Sequence, residues 1–345
     1  MDLTLGPEET AVRDAIRGVL VERLPLSRVR AVAQARPGID EALWREAGGL
    51  GWFGLGLPEA AGGAGYGAAE EMLLFVELGR GLTPGPWLGT VLAAHALAGT
   101  PALAPVLAGA LRVALIDDPT DALGDGARLA GVAHGVADAG AAEGFLVLGG
   151  EAARYLPAAT HGLAVEGRPS IDPTRRLGDV RFSGIAAPPL ADDAVALRTL
   201  ATLLAAAEAV GVAERTLEDS VEYAKVRQQF GRPIGAFQAV KHRSADMAVR
   251  AEAARSLTTF AAVALAEGEE TAPRHVVAAK VLATDAALAN AADNVQNHGG
   301  MGFTWEADAH LYLKRAWLLE HALGTRAAHL DALAVPWRVQ GVRRE

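Results

Sequence analysis

The sequence predicts an α+β protein: an N-terminal helical domain, a small middle β-domain and a C-terminal antiparallel four-helix bundle. Three observations carry this. Apolar residues recur at helical spacing through roughly the first hundred positions. Short β-like runs punctuated by Gly, Pro and Asp follow. The helical period then returns and holds to the end, in long Ala-rich segments joined by short Gly- or Pro-containing connections. The divisions implied are residues 1–104, 105–190 and 191–345.

Taken in order, Pro7 stands where a first helical turn tolerates it, and "EETAVRDAIRGVLVERL" continues with apolar positions at helical spacing. "IDEALWREAGGLG" reads as a second helix with Asp40 as its N-cap. "GLPEAAGGAGYG", residues 56–67, is glycine-rich, but it lacks the Lys-Ser/Thr of a phosphate loop and no strand precedes it. It is expected to be an irregular surface loop. "AAEEMLLFVELGRGL" is a further amphipathic helix. "RVALID", "GFLVLGG", "GLAVEG" and "DVRFSG" are the expected strands, and "PPLADD" is a linker in which Pro188 and Pro189 bar helix. The four bundle helices begin at "DAVALRTL", "AFQAVKH", "PRHVVAA" and "DAHLYLK".

Composition removes several functions. A net charge of −9 with pI near 5.5 argues against a nucleic-acid partner. The absence of Cys excludes disulfides, thiolate metal sites and a Cys nucleophile, and suits a cytoplasmic location. The acidic start "MDLTLGPEET" does not read as a secretory leader. The most apolar tract, Trp87 to Ile116, is interrupted by His95, Pro101, Pro105 and Arg112. A membrane span needs about 20 uninterrupted apolar residues, so no membrane partner is expected.

Two stretches could carry chemistry. In "VRQQFGRPIGAFQAV", Arg227 ends a long helix beside Gln228 and Gln229, before a Gly231–Arg232–Pro233 break. A guanidinium binds phosphate bidentately and never deprotonates. Gly231 and Gly235 let a ligand approach bare backbone, and Phe230 and Phe237 offer flat apolar surface. The same residues also describe an ordinary helix corner with a dipole-capping Arg. In "QNHGGMGFTWE", Gln296 can hydrogen-bond an adenine edge, and Gly299 and Gly300 permit close backbone approach. His298 is either a base or a hydrogen-bonded turn residue. No second His or carboxylate stands at ligand spacing, so no metal is expected.

Together, "YAKVRQQFGRPIGAFQAVKHRSADM" and "QNHGGMGFTWEADAHLYLKRA" resemble the C-terminal domain of the acyl-CoA dehydrogenase family. "LWREAGGLGWFGLGLPEAAGGAGYG" and "FVELGRGL" resemble its helical start. The resemblance implies FAD as cofactor and removal of two hydrogens from the α and β carbons of an acyl-CoA thioester. In that chemistry a carboxylate takes the α proton and flavin N5 accepts the β hydride. It also implies that the Arg and Gln motifs touch the pyrophosphate and adenosine end of FAD held by a neighbouring subunit. Those roles fall on Arg227, Gln228, Gln229, Phe230, Phe237 and Gln238, and on Gln296, Gly299 and Gly300, with Thr325 as a further contact.

Two departures from the family pattern matter. One branch carries its base as the Glu of a Glu-Gly-Thr triplet; here Gly324 and Thr325 follow Leu323. Another branch places it on the first bundle helix, at the position of Ala201. An alkyl group cannot abstract a proton, so neither base is in place. Glu208 and Glu320 are the alternative carboxylates, and Glu306 matches an acid that family members carry outside the active site. The middle segment also lacks a Leu-Thr-Glu-Pro stretch and a Trp, which hold the flavin ring in the family.

The pattern resembles the shorter, base-lacking subunit of bacterial α2β2 acyl-CoA dehydrogenases of the steroid-degradation type. That implies a longer partner subunit, an acyl-CoA substrate, with a steroid side-chain CoA as the extension the resemblance suggests, and an electron acceptor such as an electron-transfer flavoprotein. The alternatives are a self-sufficient homo-oligomer using a non-standard carboxylate, and a non-catalytic scaffold.

Overall fold

The computed structural model describes residues 3–118, 128–150, 152–190 and 193–335. Six helices open the chain: α1 (Pro7–Arg23), α2 (Leu26–Gln34), α3 (Glu41–Gly49), α4 (Ala68–Arg80), α5 (Trp87–Ala96) and α6 (Leu103–Leu107). Pro7 begins α1, and the Asp40 carboxylate caps α3 by accepting from the amides of Ala42 and Leu43. The 56–67 stretch is turns and one short 3-10 helix (Glu59–Ala61), as its glycines predict.

Six strands follow: β1 (Val113–Asp118), β2 (Arg128–Ala137), β3 (Gly144–Gly149), β4 (Ala152–Pro157), β5 (Leu163–Arg168) and β6 (Leu177–Ala186). They form two three-stranded sheets, β1-β3-β4 and β2-β6-β5. β1 runs parallel to β3, and all the other pairs in these two sheets are antiparallel. β3 is buried on both faces: Phe145 and Val147 pack between the sheets, while Leu146 and Leu148 join the helical core. β2 and β4 were not among the expected strands. Half of "RLAGVAHGVA" is Gly and Ala, which carry little strand propensity, and pairing with β6 decides its conformation. The linker "PPLADD" lies partly outside the described residues.

The bundle comprises α7 (Ala194–Val226), α8 (Gln238–Ala266), α9 (Ala272–His298), α10 (Ala309–His321) and α11 (Arg326–Ala334). Between α7 and α8, β7 (Gln228–Gln229) and β8 (Arg232–Pro233) form a two-residue ladder. The fourth expected helix is therefore two: the chain turns at Leu323 and Gly324, both with positive φ. α7 is the one described helix long and apolar enough to cross a membrane, yet 78% of its most apolar window is buried inside the protein. It crosses α4 at near backbone contact, through Gly79 and Gly211: a Cβ on either would collide with a carbonyl of the other helix.

Candidate functional site

The end of α7 and the end of α9 are pinned together. The His298 ring stacks on Tyr223 at 4.0 Å, and its Nδ1 lies 2.9 Å from the Asn294 carbonyl. Asn297 Nδ2 donates to Ser220 Oγ at 2.6 Å, and its Oδ1 accepts from Arg243 at 2.8 Å. His298 is thus the hydrogen-bonded helix-end residue of the two readings the sequence allowed. Both motifs come to one corner of the bundle.

At that corner the Arg227 amide caps α7 by donating to the Tyr223 carbonyl, and Ile234 closes the turn by donating to the Arg227 carbonyl. Phe230 occupies the left-handed region (φ 51°) and is 90% exposed. A bulky residue held there stores strain, a pattern common at binding sites. Phe237 meets Phe230 edge-on at 6.1 Å, and the Arg232 guanidinium lies 4.3 Å above the Phe237 ring. Gln238 opens α8. Arg227, Gln228, Gln229, Gln238 and Gln296 are exposed, and no described residue offers their side chains a hydrogen bond or ion pair. Gly299 needs its positive φ of 62° to end α9. Gly300 has no such requirement, and no atom lies within 4 Å of where its Cβ would stand. Thr325 stands apart, past the far end of α10, where its hydroxyl caps α11 by accepting from Ala328.

A second feature lies between the sheets and the bundle. A cavity of about 360 Å³ is walled by the start of α5, by β1 and β2, by Ala205 and Glu208 of α7, and by the turn after α10. Leu323 lines it. Glu320 is not part of its lining, and Ala201 is buried in the core. Glu306 is exposed on a separate polar cavity beside Arg215, Asp219 and His298.

Glu208 reaches the first cavity already committed. Its Oε1 accepts from Arg315 at 2.7 Å and from Arg175 at 3.0 Å, and its Oε2 accepts from Arg175 at 3.3 Å. Arg315 also donates to Asp172 Oδ2 at 2.6 Å and to Thr174 Oγ1 at 2.8 Å. Arg315 and Asp172 are fully buried. Burial pushes the Glu208 carboxyl up, but Arg175 and Arg315 outweigh it and hold it below the ordinary range. Doubly paired and acidified, it is a poor proton acceptor. The network fastens the loop before β6 to α7 and α10. Asp172, Arg175 and Arg315 were not singled out in the sequence. The signals were present in "DPTRR" and in a lone Arg on the apolar face of "LYLKRAW".

Residues 6–104 match the acyl-CoA dehydrogenase N-terminal domain and residues 196–335 the acyl-CoA dehydrogenase C-terminal domain. The chain belongs to the acyl-CoA dehydrogenase family. The acyl-CoA dehydrogenase IpdE2 of Mycobacterium tuberculosis is 38% identical over 327 residues, 91% of this chain and 92% of that relative. Among solved structures, a variant of the Tcur3481-Tcur3483 steroid ACAD is 31% identical with a TM-score of 0.85, covering 96% of this chain and 97% of that one. The ChsE4-ChsE5 complex from Mycobacterium tuberculosis is 29% identical with a TM-score of 0.86, covering 96% and 98%. As an acyl-CoA dehydrogenase the chain is a flavoprotein oxidoreductase, and FAD is the cofactor of the family. The helical N-terminal part, small sheets and helical C-terminal part are the family's fold.

Proposed function

We propose that this chain is the shorter subunit of a hetero-oligomeric acyl-CoA dehydrogenase, and that it clamps the nucleotide end of an FAD whose ring belongs to a longer partner. The corner's donor set fits that end of the cofactor. Arg227 supplies a free guanidinium for pyrophosphate, and Gln228, Gln229, Gln238 and Gln296 supply unpaired amides. Phe230 and Phe237 supply apolar ring surface. Gly300 leaves space that nothing in its own chain requires. When bound, FAD supplies the hydride acceptor; this chain's residues orient its phosphates and adenosine.

The observation that carries the trans arrangement is a separation. Glu208 at the cavity and Arg227 at the corner are nineteen positions apart, along chain that is helical up to the Arg227 cap. At 1.5 Å rise per residue that is about 28 Å. The ribityl chain joining flavin ring to pyrophosphate spans only a few bonds, so one cofactor does not serve both places in a single chain. Leu323 stands at one base position, and Glu208 is engaged by two guanidiniums, so neither offers this chain's cavity a free proton acceptor. The ChsE4-ChsE5 neighbour, a complex of two differently named chains, supports a hetero-oligomer, here α2β2. The steroid ACAD neighbour supports a bulky steroid-type CoA as the acyl group. An electron-transfer flavoprotein is the proposed electron acceptor, and the cytoplasm the proposed location.

Purifying the chain alone tests this. The expected preparation is colourless and forms no 2-enoyl-CoA, while co-expression with the longer subunit yields a yellow, active complex. A flavin spectrum and normal turnover from the chain alone would overturn the proposal and favour the self-sufficient reading.

A further inference from the structure

The residues of the cofactor clamp stand on three different helices. Arg227 caps α7, Gln238 opens α8 and Gln296 lies in the last turn of α9. Their spacing therefore depends on the axial register of those helices, and the surfaces that meet say little about it. Ala283, Ala287 and Ala291 of α9 are buried, as are Ala206, Ala209 and Ala213 of α7. Methyl groups make shallow knobs, and a shift along such a surface meets little steric resistance.

Two buried asparagines of α9 supply what the alanines lack. Asn290 Nδ2 donates to the Ala213 carbonyl of α7 at 3.1 Å and to the Met247 carbonyl of α8 at 2.9 Å. Seven positions on, Asn297 Nδ2 donates to Ser220 Oγ of α7 at 2.6 Å, and its Oδ1 accepts from Arg243 of α8 at 2.8 Å. Each amide thus spans both neighbouring helices, and both meet α7 at the same sequence offset of 77. A slip of α9 by one turn, about 5.4 Å, would break these bonds and carry Gln296 equally far from its place near Arg227. Buried amides left without partners cost free energy, so a buried Asn holds one register against its neighbours. We propose that Asn297 is a positioning residue of the clamp, setting where Gln296 stands relative to Arg227 and Gln238. Its amide is committed inside the bundle, so it acts through Gln296 and not on FAD itself. The inference rests on the reading that this corner holds the nucleotide end of FAD.

FAD dissociation constants of the co-expressed complex test it. Asn297→Ala, which removes both ties, should raise the constant about tenfold, the loss from misaligning one charge-assisted contact. Asn297→Asp should return it to within about twofold of wild type, since a carboxylate accepts from both Arg243 and the Ser220 hydroxyl. In an Arg227→Ala background, Asn297→Ala should cost only about threefold or less, because the contact it aligns is already gone. A merely structural Asn297 would lower the thermal midpoint without this coupling to Arg227. Unchanged FAD affinity in Asn297→Ala, no recovery in Asn297→Asp, or an undiminished loss in the Arg227→Ala background overturns the inference. If Asn297→Ala fails to fold, Ser220→Ala, which removes one tie, is measured in the same two backgrounds against the same criteria. Wild-type FAD affinity in Arg227→Ala itself would mark failure of the underlying reading instead.

Discussion

Replacing Glu208 by Gln separates a structural carboxylate from a catalytic one. The amide keeps the side chain's shape but removes the charge facing Arg175 and Arg315. Arg315 would retain Asp172, whereas Arg175 would retain only Asp138 at 3.8 Å. Removing one partner of a buried ion pair costs about 3–5 kcal/mol, because the other charge stays buried. Against a total stability of about 5–15 kcal/mol, that is a large fraction. Urea denaturation followed by circular dichroism should therefore show a midpoint well below wild type. In the assembled complex, turnover per folded molecule should stay near wild type. The acid limb gives a second readout. Because the folded pKa of Glu208 lies below its ordinary 4.5, its stabilisation is fully present above that value and fades as pH falls through the folded value. Glu208→Gln should flatten that limb. Unchanged stability with abolished turnover would refute the reasoning and make Glu208 the base.

Other outcomes follow from the same geometry. Lys280 is buried against the Leu319 carbonyl, to which it donates at 2.8 Å, and burial lowers its pKa from 10.5 to about 8. Between those values the unfolded chain binds the extra proton, so stability should rise by up to about 3 kcal/mol as pH increases. Lys280→Met should lose that alkaline rise, measured as denaturation midpoint against pH. Gly211→Ala should destabilise the fold by about 1–3 kcal/mol, because its new methyl meets the Val76 carbonyl across the α4–α7 crossing. Gly300→Ala, with empty space around it, should leave the thermal midpoint unchanged and weaken FAD retention by the complex.

Much of this architecture is legible in the sequence because its elements are long and locally consistent. The period of α7 to α9, the Asp40 cap and the alternating or continuous apolar residues of strands β1, β3 and β6 each state their conformation without help from afar. β2 and β4 do not: Gly, Ala, Arg and His interrupt their apolar residues, and pairing with β6 and β3 makes them strands. The break between α10 and α11 was hidden for a related reason. Leu323 adopts a left-handed backbone that no local rule assigns to Leu, and only Gly324 beside it hinted at a turn. At the site, the exposed corner could be read because its motifs are contiguous. The Asp172–Arg315–Glu208–Arg175 network could not, since its members are spread over 143 positions and only folding joins them.

The central claim, that Arg227 closes on a cofactor held by another chain, is tested most directly by Arg227→Ala in the co-expressed complex. The variant should assemble normally, and its FAD dissociation constant should rise about 10- to 100-fold, the loss of one charge-assisted phosphate contact. An FAD affinity indistinguishable from wild type in an intact complex would contradict it.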